Sequence, residues 1–365
     1  MFKVRVIQAE FGDCFILEYG TAANPRFLLV DGGPPTTFDR HLERELESIA
    51  SAGGRLDLVM LSHADNDHIV GVLDLLARLR VDEANGTPPL IAADGLWHNS
   101  FARTIDVNGI LEPRLRAAAM QAAAVQTQST VTGIGEGNGL RLAAKALSLP
   151  LNTGFVNDLV CVDDNPQPVA FGNLTLTIVG PTRANLDELQ EMWKKWLENH
   201  EDAVASGDPF VMANSDRSIP NLSSIMVLAE ADDKRVLCTG DGRSDHLLKG
   251  LGETGLLDGN GGCHVDLLKV AHHGSDRNAT RTFFRKVTAD SYLISANGKD
   301  GNPDTATLIW IVEQAKEQGR EIEIVVTNDT PSTEKLREEY DPAEYGYRIR
   351  VMPSQAHSMT LSLAG

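Results

Sequence analysis

The sequence is poor in cysteine and in aromatic residues. Its 365 residues include only four cysteines, which are scattered and form neither a CxxC pair nor a zinc-finger spacing. We therefore predict reduced thiols that pack in the interior, as in proteins of a reducing compartment. Aromatic residues make up 5% of the chain, so a core built from its hydrophobic residues must be mainly aliphatic.

The sequence also has little positive charge and no long apolar run. Its 33 basic residues are outnumbered by 51 acidic ones, which gives a formal net charge of −18. This balance argues against broad binding of duplex nucleic acid, because such binding needs lysine and arginine to displace phosphate counterions. No apolar stretch reaches the roughly 20 residues that span a bilayer, and the start lacks the pattern of a secretory signal. We expect a cytoplasmic protein that binds no membrane.

Short apolar strands recur in both halves of the chain, and several lead into ligand-type side chains. The apolar run over 56–61 is followed by Ser62-His63-Ala64-Asp65-Asn66-Asp67-His68 and then by a predicted helix. Strands are also predicted over 235–239 and 265–270. The pattern favours an α+β fold in which two sheets pack face to face with helices outside.

The strongest chemical signal is the pattern His63-x-Asp65-x-Asp67-His68. Imidazole and carboxylate ligands suit zinc, manganese and iron(II). Four ligands within six residues are too many for one open catalytic ion, so the spacing suggests two neighbouring ions. The alternative is a turn in which Asp65 caps the following helix, but a cap does not require two flanking histidines.

Three further motifs follow predicted strands. They are Val30-Asp31-Gly32-Gly33, Thr239-Gly240-Asp241 and Lys269-Val270-Ala271-His272-His273-Gly274-Ser275. Taken singly, each aspartate is typical of a turn. Together with the first motif they form an ordered set that resembles the metallo-β-lactamase-fold hydrolases, and most closely the ComEC branch, named for the soluble hydrolase domain of a DNA-uptake channel. Phe11-Gly12-Asp13-Cys14, and Gly71 after the first motif, add to the resemblance.

The resemblance implies a four-layer αββα sandwich. We expect it to occupy residues 1–365 as a single domain, with insertions at about 95–165 and 183–215. It also implies one or two divalent ions, Zn or Mn, held by His63, Asp65, Asp67, His68, Asp241, His272 and His273.

The resemblance also implies how these ligands divide. His63 and Asp65 would hold the first ion, Asp67 and His68 the second, and Asp241 would bridge the two. Either His272 or His273 would complete the second site, and the sequence leaves both open. Asp31 would orient the ligands from behind them.

The sequence departs from the family pattern at one point, because the histidine of the third motif is missing. His98 and His200 fall in that interval, but neither follows an obvious core strand, and Asn221 and Ser223 stand at the corresponding place. The first ion is therefore expected to bind more weakly. Asp65 stands where the family usually has histidine, which makes the site richer in oxygen and favours manganese over zinc.

We predict a metal-dependent hydrolase, a phosphodiesterase or nuclease acting on short single-stranded nucleic acid, nucleotides or other phosphoesters. A bound ion lowers the pKa of water from about 15.7 to about 7, and Asp67 would be the catalytic residue that orients the resulting hydroxide or takes its proton. Ser275, Lys269 and Arg277 are expected to bind the phosphate, with Ser275 near a helix start predicted at 278–280.

Two alternatives stay open at this point. The same scaffold could hydrolyse non-phosphate esters, thioesters or lactams, since only the pocket walls would differ. A degenerate metal site could instead serve a non-catalytic binding module, for which the missing histidine is the support. The resemblance also allows a protein partner encoded in the same operon, and the sequence does not give the oligomeric state.

Overall fold

The computed structural model describes residues 1–100, 130–165, 167–199 and 223–363 of the chain. Fourteen β-strands lie within these ranges: β1 (Lys3–Ile7), β2 (Phe15–Thr21), β3 (Asn24–Val30), β4 (Leu56–Met60), β5 (Leu96–Trp97), β6 (Val169–Phe171), β7 (Leu174–Gly180), β8 (Met226–Ala231), β9 (Lys234–Cys238), β10 (Cys263–Lys269), β11 (Val287–Ile294), β12 (Ile322–Val326), β13 (Tyr347–Val351) and β14 (Ser358–Ser362).

The helices within the same ranges are α1 (Glu43–Ser51), α2 (Asn66–Asn85), α3 (Thr130–Ala146), α4 (Arg183–Asn199), α5 (Ser244–Glu253), α6 (Arg281–Lys286), α7 (Thr305–Glu317), α8 (Pro331–Glu339) and α9 (Pro342–Tyr345). Short helical turns occur at Phe38–Leu42, Val156–Asp158, Ala271–Gly274 and Lys299–Gly301. None of the helices in the described ranges combines the length and the apolar character needed to cross a bilayer.

The strands form two sheets. The first has the order β14-β1-β2-β3-β4-β5, with β3, β4 and β5 running parallel. The second has the order β13-β12-β11-β10-β9-β8-β7-β6, antiparallel from β6 to β9 and parallel from β9 to β13. Loops that follow parallel strands leave a sheet at the same edge, so each sheet brings its own ligand-bearing loops together.

Three apolar layers hold these elements together. The central layer lies between the sheets, where Val4 and Leu28 of the first sheet and Leu176 and Val236 of the second belong to one buried cluster. A second layer joins the first sheet to α1, α2 and α3, and a third joins the second sheet to α5, α6 and α7. The expected α+β fold with a four-layer αββα sandwich is confirmed.

The domain boundaries stay a prediction. Both expected insertions, at about 95–165 and 183–215, run into residues 101–129 and 200–222, which lie outside the described part of the chain. Within the first of them, β5 pairs with β4 in the first sheet, so its opening residues belong to the sandwich itself.

Two glycines allow the turn after β3 to touch α2. A Cβ on Gly71 would lie 2.0 Å from the main-chain oxygen of Gly32, and a Cβ on Gly32 would lie 2.2 Å from Val72 N. The Gly32 amide donates to His68 O at 2.7 Å. This close approach places Asp31 beside the first turn of α2.

We expect Gly71→Ala to push α2 away from the Asp31 turn. The added methyl group meets main-chain atoms that cannot rotate aside, so the protein should lose about 2 kcal/mol of unfolding free energy or more. Gly139→Ala on α3 is the matched control, because a Cβ there meets nothing within 4 Å and alanine is the better helix former by about 1 kcal/mol. Denaturant unfolding measures the unfolding free energy of both variants. Equal values would contradict a tight contact between Gly71 and the turn after β3.

Candidate metal centre

The loop between β4 and α2 carries four of the predicted ligands. β4 is buried along its whole length, and the loop that follows brings His63 (3% exposed) and His68 (0%) into the interior. Asp65 occupies the N-cap position of α2 but makes no capping hydrogen bond. Its Oδ2 instead lies 3.5 Å from His63 Nε2, which argues against the interpretation of this residue as a helix cap.

The loops after β9 and β10 supply the remaining predicted ligands. Asp241 follows β9 and is buried. His272 and His273 follow β10 with φ angles of +50° and +54°, a left-handed region that costs a non-glycine residue about 1 kcal/mol or more. His272 N donates to Gly240 O at 3.2 Å, which joins this turn to the β9 loop.

Four side chains form a compact cluster that we call the inner position: Asp67, His68, Asp241 and His273. One ligand atom of each lies within 4.8 Å of the others. His273 Nε2 is 3.1 Å from Asp67 Oδ2, and His68 Nε2 is 3.3 Å from Asp241 Oδ1. Ligand atoms around a tetrahedral ion are about 3.4 Å apart when each bond is about 2.1 Å long. The spacing therefore suits one divalent ion, and His273 is the member of the histidine pair that belongs to it.

His63 and Asp65 face the other side of Asp241. His63 Nε2 lies 3.6 Å from Asp241 Oδ2 and 3.5 Å from Asp65 Oδ2. The two oxygens of the Asp241 carboxylate thus face different histidines. We call the space bounded by His63, Asp65 and Asp241 the outer position.

Each of the four histidines has its Nδ1 atom engaged away from the cluster. The partners are Ser62 Oγ for His63 (3.0 Å), Asp31 Oδ2 for His68 (2.9 Å), Asn278 Oδ1 for His272 (2.6 Å) and Ser295 O for His273 (3.0 Å). Each partner accepts a hydrogen bond from Nδ1, so in the neutral ring the lone pair lies on Nε2. An imidazole held in this way is oriented to bind a metal through Nε2.

The buried atoms of the cluster point to the same conclusion. The Nε2 atoms of His63 and His68 and Oδ1 of Asp241 are buried and make no hydrogen bond. Buried polar atoms without partners cost about 1–3 kcal/mol each, and a divalent ion would satisfy all three. The residues present therefore fit the metal that the ligand pattern implies.

Asp31 supports two of these histidines from behind. Its Oδ2 accepts from His68 Nδ1 and from Ser62 Oγ at 2.7 Å, and its Oδ1 accepts from Ser62 N at 2.7 Å. Because the Ser62 hydroxyl proton points to Asp31, the Ser62 oxygen is left to accept from His63. The supporting role expected for Asp31 stays a prediction, and its position suits that role.

Asp13 is a buried carboxylate beside the cluster that was not among the expected site residues. Its Oδ2 lies 2.5 Å from Lys269 Nζ, and its Oδ1 lies 3.5 Å from His273 Nδ1. The motif Phe11-Gly12-Asp13-Cys14 was the signal that could have identified it. The structure also corrects the expectation for Lys269, whose side chain is 2% exposed and pairs with Asp13. We therefore do not propose Lys269 as a phosphate contact.

The residues considered for the third motif lie in different parts of the structure or outside the described part of it. His98 does follow a core strand, since β5 belongs to the first sheet; it is 1% exposed, and neither ring nitrogen makes a hydrogen bond. His200 and Asn221 lie outside the described residues. The role expected for Ser223 stays a prediction, and its neighbour Ser224 is the residue whose Oγ accepts from Asp241 N, at 3.3 Å.

A cleft of about 550 Å³ opens over both positions. Ser275 and Arg277 line it beside the predicted ligands, and apart from Phe11 and Ala296 its lining residues are polar or charged. The helix expected at 278–280 begins at Arg281. Ser275 N therefore lies outside a helix start, and it donates to His272 O at 2.9 Å.

The carboxylates and imidazoles shift one another's pKa strongly. Burial alone would lower the pKa of His273, but the carboxylates of Asp241, Asp13 and Asp67 outweigh it and raise that pKa to about 10. The pKa of His68 is likewise raised well above its usual value, chiefly by Asp241 and Asp67 against the effect of burial. The pKa of Asp241 is lowered despite burial, because His68 and His272 lie close to it.

These pKa shifts predict that metal binding releases protons. With its pKa raised to about 10, His273 is protonated at pH 7 when no metal is bound, and the raised pKa of His68 acts in the same direction, so an ion at the inner position must displace protons from these rings. Affinity should therefore rise with pH between 7 and 9, by about tenfold per pH unit for each proton released. Calorimetric titration in buffers of different ionisation enthalpy measures the number of protons released per ion bound. Metal binding without proton release would contradict the placing of His68 and His273 in the inner position.

Asp31→Asn should weaken metal binding while leaving the fold in place. Asp31 has a positive φ of +55°, which asparagine tolerates, but the amide cannot accept all three hydrogen bonds of the carboxylate. We expect affinity to fall about 10- to 100-fold, read by competition with a chromophoric chelator. Asp39→Asn, which replaces an exposed aspartate in the Phe38–Leu42 turn, is the control, and an equal loss in both variants would contradict a specific role for Asp31.

Short stretches of the chain are similar to known proteins. A stretch of 58 residues is 41% identical to hydroxyacylglutathione hydrolase of Acidiphilium cryptum (strain JF-5), covering 16% of this chain and 24% of that protein. A stretch of 96 residues is 28% identical to microtubule-associated protein 1A of Rattus norvegicus, covering 26% of this chain and 4% of that protein. The matches thus span about a quarter or less of these relatives.

Solved structures also resemble the chain, although loosely. A new diphosphatase of the PhnP family aligns with a TM-score of 0.38 and 10% identity, over 99% of this chain and 97% of that one. A beta-lactamase domain protein from Burkholderia ambifaria aligns with a TM-score of 0.29 and 13% identity, over 68% and 60%. These scores are too low to compare the sites, and the ComEC branch stays a prediction. Residues 10–150, which carry β2 to β5 and the His63–His68 loop, match the family model of the Metallo-beta-lactamase superfamily, whose members are metal-dependent hydrolases.

Proposed function

We propose that the protein is a metal-dependent phosphodiesterase that acts on small phosphoesters, nucleotides or short single-stranded nucleic acid. The observation that supports this proposal is the cleft, whose floor is the ligand cluster and whose wall carries Arg277. A guanidinium group binds phosphate oxygens through paired hydrogen bonds. An apolar acyl group would find little apolar surface in the same cleft beyond Phe11 and Ala296.

The residues of the inner position have separate tasks in this proposal. A bound divalent ion would supply Lewis acidity and lower the pKa of a water molecule. Asp67 is the carboxylate best placed to orient that water or take its proton, because its side chain is 25% exposed against 5% for Asp241. The oxygen-rich outer position, with Asp65 in place of an imidazole, favours manganese over zinc.

Charge in the outer part of the cleft limits the substrate that we propose. Asp276, Asp300 and Asp304 line it together with Arg277 and Lys299, so carboxylates outnumber the two cations there. The net charge of −18 adds a repulsive field at longer range. A substrate with one or a few phosphates fits this arrangement better than a long duplex does.

A second candidate is the hydrolysis of non-phosphate esters or thioesters. The 41% identity of a short stretch to a hydroxyacylglutathione hydrolase favours it, because the same ligand types serve both kinds of hydrolase. That stretch covers only 16% of this chain.

We expect chelator-treated protein to hydrolyse bis-p-nitrophenyl phosphate only after a divalent ion is added back. Manganese, zinc and magnesium are compared, and manganese should restore the highest rate. Asp67→Ala should lower kcat/KM by about 10³-fold or more, since it removes a ligand and the group that orients water. The measurement is the release of p-nitrophenolate.

The control is Asp290→Asn, an exposed aspartate paired with His264 away from the cleft, which should leave the rate unchanged. Turnover of p-nitrophenyl acetate or a thioester without turnover of the phosphodiester would favour the second candidate. Phosphodiester turnover that survives Asp67→Ala would contradict the proposed site.

A further inference from the structure

A lysine and an aspartate form a buried ion pair directly behind the inner position. Lys269 is the last residue of β10, and its side chain is 2% exposed. Its Nζ atom lies 2.5 Å from Asp13 Oδ2 and donates to Val270 O at 2.9 Å. Asp13 is 1% exposed. Replacement of a buried ion pair by apolar side chains is often neutral or stabilising, so stability alone does not explain this pair.

The ion pair connects the two sheets where their ligands meet. Asp13 lies in the loop between β1 and β2 of the first sheet, whereas β10 belongs to the second sheet. The first sheet also supplies Asp67 and His68, through the loop after β4, and the second supplies His273. Because one ion must contact ligands from both sheets, a contact that fixes the distance between the two loops also fixes the spacing of those ligands.

Asp13 contacts three ligands of the inner position. Its main-chain N donates to Asp67 O at 3.1 Å, in the first turn of α2. Its Oδ1 lies 3.5 Å from His273 Nδ1, and its Oδ2 lies 3.9 Å from His68 Nδ1. Both Nδ1 atoms are on the side of the ring that faces away from the ligand cluster. The Asp13 carboxylate therefore lies behind the two rings and is not itself a ligand of the inner position.

The loop that carries Asp13 is packed tightly against the same ligands. A Cβ on Gly12 would lie 2.0 Å from Asp67 O. Ser295 Oγ donates to Gly12 O at 2.6 Å, and Ser295 O accepts from His273 Nδ1 at 3.0 Å. One serine of the second sheet thus holds both the loop of Asp13 and the ring of a ligand, which leaves the carboxylate little room to shift.

We propose that Asp13 is a positioning residue of the inner position and that Lys269 is the cation that holds it there. In this arrangement the ion pair sets the distance between His273 and the ligands of the first sheet before a metal binds. Lys269 also compensates the carboxylate charge behind the two imidazole rings. The inference concerns the formation of the metal centre and does not rest on the reaction or the substrate proposed above.

The test measures metal affinity on the folded, full-length chain. Chelator-treated wild type, Asp13→Asn, Lys269→Met and the double variant are titrated with Co²⁺ in competition with a chromophoric chelator. Asp13→Asn should bind the ion about 10- to 100-fold more weakly, as is usual when a residue that orients a ligand is removed. The amide has one oxygen and cannot present an acceptor to Lys269 and His273 at once. Lys269→Met should lose at least as much, because it leaves the Asp13 carboxylate buried and unpaired.

The double variant shows whether the two residues act as a unit. If Lys269 acts through Asp13, its removal from a protein that already lacks the Asp13 charge should cost little more. We therefore expect the affinity of the double variant to lie within about threefold of that of Asp13→Asn, and not at the product of the two single losses. The visible absorption spectrum of bound Co²⁺ should also change in Asp13→Asn, since it reports the arrangement of the ligands and not the stability of the fold.

A second lysine–aspartate pair that involves the same strand is the matched control. Lys234 Nζ lies 2.8 Å from Asp266 Oδ1, and Asp266 belongs to β10 as Lys269 does. Lys234→Met should keep the affinity and the spectrum of the wild type. Circular dichroism and thermal melts show which variants fold. If Lys269→Met does not fold, Asp13→Asn and the double variant still carry the test, because neither buries an unpaired carboxylate at this place.

Three results would overturn the proposal. They are a folded Asp13→Asn variant with the affinity and spectrum of the wild type, single losses that multiply in the double variant, and an equal loss in Lys234→Met. Phosphodiester turnover separates this inference from the proposed function. The expected losses of affinity in a protein without turnover would keep the inference and refute the proposed function, whereas metal-restored turnover with unchanged affinity in Asp13→Asn would refute the inference alone.

Discussion

The candidate metal centre depends on cationic or hydrogen-bonding partners that compensate the charge of its buried carboxylates. Asp13, Asp31 and Asp241 are all at most 3% exposed, and a carboxylate buried without a partner would cost several kcal/mol. Lys269 offsets Asp13, and His68 Nδ1 donates to Asp31. Asp241 has imidazoles on both of its oxygens. The positive φ angles after β10 place the rings of His272 and His273 within 4 Å of the Asp241 carboxylate.

Local patterns predicted the parts of this structure that local forces determine. The apolar run over 56–61 corresponds to β4, Leu56–Met60, because burial on both faces leaves a continuous apolar signal. The loop after it collects ligands within six residues, so its chemistry was visible without any tertiary contact. The glycine-rich stretch within α3 gave no helical signal, since glycine disfavours helices; this helix instead packs Leu140 and Ala144 into the layer that contains α2.

The features of the site that the sequence could not predict depend on contacts between residues that are far apart in the sequence. Lys269 and Asp13 lie far apart in the sequence, so the sequence suggests a surface lysine, whereas the fold buries the lysine and pairs it with a carboxylate. His272 and His273 are adjacent and chemically identical, and the fold distinguishes them, because His273 is buried in the ligand cluster whereas the His272 side chain is 41% exposed. The match to the family model covers residues 10–150, whereas Arg277 and both of these histidines come later. The family match therefore bears on the His63–His68 loop, whereas Asp241 and His273 of the inner position lie outside it.

The contact between His273 and Asp67 joins residues that are 206 positions apart. A divalent ion bound by both would close a loop of that length, as a cross-link does, and such closure restricts the unfolded chain far more than it restricts the native one. The four side chains of the inner position come together only when both sheets have formed, so an ion should bind the native protein more tightly than it binds either half. Free ion in the surroundings would therefore shift the folding equilibrium by mass action, and the supply of metal would govern how long the folded chain survives as well as whether it can react.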